Sequence, residues 1–564
     1  MRWTLKPKPE TKKKEALQQA LQVDPIIATL LLQRGIKTFK EAKQFFRPSL
    51  SHLHNPFLMK DMDKAVARIE KAIANNEHIL VYGDYDVDGT TAVALMASYL
   101  KTIHHLVHTY IPDRYDEGYG VSEKGIHFAL DHDFTLIIAL DCGIKAHEKV
   151  AYAKKKGIDF IICDHHRPAN TLPNAVAVLD PKRTDCKYPY KELCGCGVGF
   201  KLIQALATND GKTVQDLIPY LDLVATAIGA DIVPIDGENR VLAYFGLQVI
   251  NTKPRIGIKA ILNQVEKTEL TISDVVFMVA PRINAAGRMK HGNYAVTLLT
   301  ESEEDKANDY ATEINNFNLE RREAEKQITE EALKQIEEQK EQNRLTSVVY
   351  NKNWHKGVIG IVASRLTETY YRPTLVFTKS GDKLVASARS VKDFDIYNAL
   401  ESCSDYIEQF GGHKYAAGLT IQEANYQAFK QAFEDEVHKT IDRALLIPEI
   451  PIDCKIDLKN ITPKFYRILK QFAPYGPNNM TPVFMTDNTT DTGYGKCVGN
   501  DKTHLRLTAK QPNASSQFVA IGFGLGNKLN VISNGKPFKI VYSIDENEWQ
   551  GNVSLQLRLK DIKE

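Results

Sequence analysis

The chain has 564 residues, 43% of them apolar, with 72 Lys and Arg against 70 Asp and Glu and a formal net charge of +2. That length exceeds one compact domain and points to about three or four. The near-neutral balance argues against a globally basic DNA-coating protein while leaving room for a local basic groove, and no apolar run approaches the length of a membrane span.

The eight cysteines form no C-x-x-C pair, which with the lack of a signal peptide indicates a soluble protein of the reducing cytoplasm. Cys186, Cys194 and Cys196 lie close together, but no fourth ligand follows at finger-like spacing, so zinc is not expected.

In chain order, residues 6–15 are polar and read as frayed. Helical periodicity over 15–46, broken at Pro25, suggests a small accessory lobe (1–60). A helix over 62–75 leads into I-L-V-Y-G-D-Y-D-V-D-G at 79–89. There a short aliphatic run ends at Gly83 and is followed by Asp84, Asp86 and Asp88. Strand-like runs at 78–82, 108–111, 135–140, 159–162 and 175–179 alternate with helical stretches such as 90–101 and 145–156, the pattern of a parallel α/β sheet. Asp141 follows T-L-I-I-A-L, Asp164-His165-His166 follows D-F-I-I-C, and Asp231 closes L-V-A-T-A-I-G-A. These side chains therefore gather at one edge, where ligands of such sheets bind.

Residues 301–343 lack Gly and Pro and alternate charges at i, i+4 spacing, as a solvated helix joining two lobes would. Unbroken, it spans some ~60 Å. A second α/β pattern occupies 347–438. Beyond 445, short strands at 505–508, 517–521, 538–544 and 553–559 suggest an OB-like β-barrel. The expected division is 1–60, 61–300, 301–345, 346–442 and 443–564: an α/β protein of two lobes joined by a long helix, with a C-terminal barrel.

Converging carboxylates repel one another unless a cation or protons neutralise them. Several oxygens with an imidazole suit Mn²⁺ or Mg²⁺ better than zinc. A metal pair sharing Asp141 clamps the attacking and leaving oxygens of a phosphoryl centre and lowers the pKa of a bound water. His166 is placed to face the scissile phosphate.

D-Y-D-V-D-G, Asp-His-His and G-G-H-K-Y-A-A-G (Gly411–Gly418) together resemble the DHH phosphoesterases. With I-P-D-R-Y-D-E-G-Y-G (Ile111–Gly120), P-R-I-N-A-A-G-R-M (Pro281–Met289), S-A-R-S (Ser387–Ser390) and the terminal barrel, the whole chain is similar to the members of that family that degrade single-stranded DNA. The resemblance implies a DHH domain, a connecting helix, a DHH-associated domain and an OB fold. It implies a 5′→3′ exonuclease using two Mn²⁺ or Mg²⁺ ions in repair and recombination, a monomer supplied with strand by a helicase and a single-strand-binding protein. Asp84, Asp86 and Asp141 would hold one ion, and Asp88, Asp141, His165 and Asp231 the other, with Asp222 competing for the last place. Many members of the superfamily carry a His a few positions before the first metal Asp; here that region reads V-Y-G-D, which would put Asp84 in that role.

Asp164, His166 and His413 would serve catalysis. Arg114, Tyr119, Arg282, Asn284, Arg288, Ser387, Arg389, Gly411, Gly412 and His413 would contact nucleic acid, with Arg282, Ser387 and Arg389 on the terminal 5′ phosphate. Tyr494, Phe518 and Trp549 offer further aromatic surface on the barrel. Two rival readings remain: a DHH phosphoesterase for short oligoribonucleotides or cyclic dinucleotides, and a non-catalytic single-strand-binding protein.

Overall fold

Aliphatic strands alternating with helices build the first lobe. The computed structural model describes residues 1–512 and 514–564, and the side chain of Trp549 lies outside the described part. Five parallel strands, β1 (His78–Gly83), β2 (Val107–Tyr110), β3 (Phe134–Leu140), β4 (Asp159–Cys163) and β5 (Ala177–Leu179), lie in the order β2-β1-β3-β4-β5. The order reverses between β1 and β3, so the carboxyl ends of β1, β3 and β4 open into one crevice. Helix α1 (Val87–Leu100) is buried along nearly its whole length, sharing one core with α2 (Gly195–Asn209) and α3 (Leu221–Ala230). From Gly195 to Thr300 the lobe is helical, including α4 (Ala280–Met289). The apolar run that Asp231 closes is thus helix α3, not a strand.

The long helix, α5 (Glu304–Glu338), has 35 residues and spans about 52 Å. It is more than a solvated bridge. Ala307, Ala311, Ile314 and Phe317 belong to the core of the first lobe, while Ile328, Ala332 and Ile336 pack into the second. That second lobe is a mixed sheet of β6 (Ser347–Tyr350), β7 (Thr374–Ser380), β8 (Lys383–Arg389), β9 (Gln409–His413) and β10 (Ala416–Gln422), in the order β9-β10-β8-β7-β6. Only β6 and β7 are parallel.

At the C-terminus β11 (Phe484–Asp491), β12 (His504–Lys510), β13 (Gln517–Gly522), β14 (Phe538–Trp549) and β15 (Asn552–Lys563) pair in the ring β11-β14-β15-β13-β12, closed by β11 on β12. Residues 6–15 are not frayed: a helix runs Thr11–Leu21, and a strand at Arg2–Leu5 pairs with Glu449–Ile452. Nor do the first helices form a separate lobe. Leu17, Ile27, Leu30, Leu31 and Ala42 lie in one core with Phe465, Phe472, Phe484 and Tyr542 of the barrel region.

The Arg240 guanidinium locks this assembly to the first lobe. It donates to the carbonyls of Phe45, Gln471, Phe472, Ala473 and Pro474 and lies 3.8 Å over the Phe45 ring. Among the described residues no helix is long and apolar enough to cross a membrane.

Candidate metal centre

Chain geometry at the sheet edge explains why the acids converge. β1 ends at Gly83, placing Asp84 in a buried turn. Asp86 then caps α1, its Oδ1 accepting from the Gly89 amide at 3.0 Å. Gly89 has to be glycine, since a Cβ there would lie 2.4 Å from the Asp84 carbonyl oxygen. Asp88 falls in the first turn and is buried. Its two oxygens accept from the amides of Gly195 (2.6 Å) and Cys196 (2.7 Å) at the N-terminus of α2, where helix amides favour an anion. Asp141, directly after β3, takes a left-handed backbone (φ +59°), a conformation Asp tolerates better than most residues.

His165 follows β4 and sits in the middle. Its Nε2 is 3.2 Å from Asp141 Oδ1, 3.6 Å from Asp231 Oδ2 and 3.8 Å from Asp88 Oδ2. Asp231 ends helix α3. Asp222 stays out of the cluster, because its carboxylate accepts from both the side chain and the amide of Arg255.

The electrostatics are those of a cation site. Burial, then Asp86, pushes Asp84 well above the usual carboxylate range. Burial, then Asp88, does the same to Asp141. Burial raises Asp88 to about 7, helped by Asp86, and Asp231 to about 8, helped by Asp88. Burial and the neighbouring His166 lower His165 to about 3, leaving a neutral imidazole to act as a ligand. Among the described residues Asp84 Oδ2 and Asp141 Oδ1 are buried without a hydrogen-bond partner. Two three-residue groupings of the described residues overlap at His165: Asp141 with His165 and His166, and Asp88 with His165 and Asp231. Crowded carboxylate oxygens with imidazole and no thiolate fit hard divalent ions.

Asp164 has a different part. Oδ1 accepts from the amides of His165 (2.8 Å) and His166 (3.1 Å) and from His166 Nδ1 (2.7 Å), while Oδ2 accepts from the Ile144 amide (2.9 Å). Burial works to raise it, but the hydrogen bond and charge of His166 hold it at about 2. Burial likewise opposes a charge on His166, and Asp164 overrides it, raising that imidazole to about 9. His166 Nε2 is 3.2 Å from the Tyr119 hydroxyl, which also donates to the Asp141 carbonyl.

A group of guanidiniums lies beside the acids. Arg114 stacks 3.9 Å over Tyr85 and donates to the Gly287 carbonyl. Arg288 donates to the Gly357 carbonyl on the second lobe. Burial, then Arg114, Arg389 and Arg321, brings it down to about 10. Arg389 donates to Ser387 Oγ at 3.0 Å. Sheet register pairs Gly411 with Gly418, which pairs in turn with Ser387, and His413 with Ala416, which pairs in turn with Arg389, so β10 lies between the two sets; Gly412 pairs with Ala417. Burial and Arg389 lower His413.

Arg282 is placed elsewhere. It donates to Asn315 Oδ1 and the Met278 carbonyl, and Arg288 is the α4 arginine beside Arg389. Asn284, one turn before Arg288, has a buried Oδ1 without a partner. The sequence reading missed Gly195 and Cys196. Their signal was C-G-C-G-V-G (Cys194–Gly199), which had raised only the question of zinc.

The parallel sheet, the aspartates at its edge and the second lobe define a DHH phosphoesterase, and residues 78–228 match the DHH family, N-terminal domain, while 342–439 match the DHHA1 domain. Residues 452–561 match the RecJ OB domain. The chain is 35% identical to the single-stranded-DNA-specific exonuclease RecJ of Bacillus subtilis, over 100% of this chain and 70% of that protein. It is 32% identical to the RecJ of Escherichia coli, over 96% of each. RecJ from Thermus thermophilus in complex with Mn²⁺ superposes with a TM-score of 0.86 at 26% identity, covering 100% of this chain and 79% of that one. The chain belongs to the RecJ family.

Proposed function

We propose that this protein is a divalent-metal-dependent exonuclease that removes nucleotides from the 5′ end of single-stranded DNA. The observation that carries the reading is a buried Asp/His cluster with unpartnered oxygens beside converging arginines from both lobes. Asp84, Asp86 and Asp141 would hold one cation, and Asp88, Asp141, His165 and Asp231 the other. When bound, Mn²⁺ or Mg²⁺ supplies Lewis acidity that activates water and neutralises phosphoryl charge.

The protein's own groups do the rest. The Gly195 and Cys196 amides fix Asp88. Asp164 is a positioning residue that keeps His166 protonated, and His166 offers Nε2 to a phosphoryl oxygen. Arg114, Arg288, Ser387, Arg389 and the Gly411 and Gly412 amides grip a terminal phosphate, with His413 as a further donor. A pocket closed behind one end of a strand permits removal from that end only. Tyr119 and Tyr85 line the entry. The domain limits are 61–300, 301–345 and 346–442, with residues 1–60 joined to 443–564 through their common core; the chain acts as a cytoplasmic monomer, and a helicase and a single-strand-binding protein supply its substrate.

The test uses one oligodeoxynucleotide labelled at either end, with Mn²⁺, Mg²⁺ or chelator, beside a matching RNA and a blunt duplex. Mononucleotides released first from the 5′ end of the single-stranded DNA support the reading. Preference for very short RNA, or no metal-dependent cleavage, overturns it.

A further inference from the structure

Next to α3 the chain makes a π-helical turn, Val275–Val279. Such turns are rare and recur at functional sites. Val275 and Val279 are buried while Phe277, between them, is 75% exposed. Gly229 of α3 lies against Val275 and Val276, so the turn is built onto the helix that ends in Asp231.

Arg282, three residues past the turn, brings positive charge back to it. The Arg282 guanidinium donates to the Met278 carbonyl at 2.6 Å and to Asn315 Oδ1 of α5 at 3.0 Å. Asn315, Leu319 and Arg322 share one face of α5 by their i, i+4, i+7 spacing, and Leu319 is exposed. Arg322 is near enough to help depress Arg282. Among the described residues neither arginine has a carboxylate in ion-pair contact. Glu325, the acid at i+3 from Arg322, is taken by Arg321 and Arg365.

An exposed ring on a turn whose next carbonyl holds one guanidinium, with a second guanidinium close to the first, has the chemistry that single-stranded nucleic acid recognises: a π-face for a base and forked donors for phosphates. We infer that Phe277, Arg282 and Arg322 form a subsite for the body of the strand beyond the reacting nucleotide, an inference that rests on the single-strand nuclease reading. This assigns Arg282 to strand holding and leaves the terminal phosphate to Arg114, Arg288 and Arg389.

The experiment compares wild type, Phe277→Ala, Phe277→Trp and Arg322→Ala on fluorescent oligodeoxythymidylates of 4 and 30 nucleotides. Binding is read by anisotropy, and cleavage with Mn²⁺ is read separately. Phe277→Ala is expected to weaken binding and raise KM for the 30-mer roughly tenfold, as loss of one stacked base would. Its kcat and its handling of the 4-mer stay unchanged, and Phe277→Trp restores affinity. Arg322→Ala lowers the salt slope of 30-mer binding by about 0.7. Unchanged 30-mer affinity in Phe277→Ala, or an equal loss on both lengths, overturns the subsite. Wild type that binds the 30-mer through Phe277 without cutting it overturns the nuclease reading while upholding the subsite.

Discussion

Gly195→Ala tests whether Asp141 is the carboxylate on which the centre turns. A Cβ at position 195 would lie 2.5 Å from both Cβ and Oδ1 of Asp141 and 2.7 Å from its Cγ. Ordinary contact begins near 3.4 Å, so the carboxylate must retreat by 3.4 − 2.5, about 0.9 Å. Asp141 is buried and follows β3 in a left-handed backbone, so it has little room to adjust. A displacement near 1 Å at a reacting centre costs about a hundredfold in rate, or about 2.7 kcal/mol of barrier. Overpacking should also lower stability by about 1–3 kcal/mol; Gly195 is the first residue of α2, so the gain of about 0.5–1 kcal/mol that Gly→Ala gives in a helix interior is an upper bound on what offsets it. Single-turnover release of 5′-labelled nucleotide at saturating Mn²⁺ measures the first effect, and thermal melting the second. Wild-type turnover with raised stability would show that helix propensity decides at this position, and would refute the reasoning.

Three further outcomes are expected. For the metal-free protein, Asp88 at about 7 and Asp231 at about 8 mean that the folded state keeps protons which the unfolded chain has released. The stability these two protonated carboxyls contribute is therefore full below about pH 4 and is lost as pH rises through 7 to 8. Mn²⁺ displaces those protons, so melting curves with chelator and with Mn²⁺ should diverge between pH 5.5 and 8.5; parallel curves would contradict the cation site. Asp164→Asn removes the group that holds His166 at about 9 and returns that imidazole toward about 6.5, so turnover should fall far more at pH 8 than at pH 6. The stability contributed by the pair is full from about pH 4 to 6.5, lost as pH rises through 9 or falls through 2; a pH-independent loss of turnover would assign Asp164 a purely structural part. Arg240→Met strips five carbonyls of their donor and should cost roughly 3 kcal/mol or more. Urea titration is expected to show the barrel assembly melting ahead of the first lobe, and an unchanged midpoint would count against the clamp.

The acids at the ends of β1, β3 and β4 were legible because a buried parallel strand announces itself as an aliphatic run, and the residue after it must lie at the sheet edge. Asp231 was legible only as a position: its apolar run fits helix or strand, and packing against α1 and the 270s decides for helix. The holders of Asp88 were hidden, because nothing local says that the amides of residues 195 and 196 will face a carboxylate more than a hundred residues earlier. Arg282 and Arg288 show the same limit. Six residues apart on α4, they point about 120° away from each other, and only the docking of α5 and the second lobe determines which one meets Arg389.

The core shared by the first helices and the barrel bears on how the protein is made. Residues 17–42 leave the ribosome more than four hundred residues before the region 456–562 that covers them. At about 5–20 residues per second, that interval is on the order of 20–80 s. Throughout it, Ile27, Leu30 and Leu31 have only the neighbouring N-terminal helices to pack against and lack the barrel half of their core, so the nascent chain carries an apolar face for most of its synthesis. That face is where misassembly between neighbouring nascent chains would begin. Removing the barrel to isolate the nuclease lobes would make that transient exposure permanent.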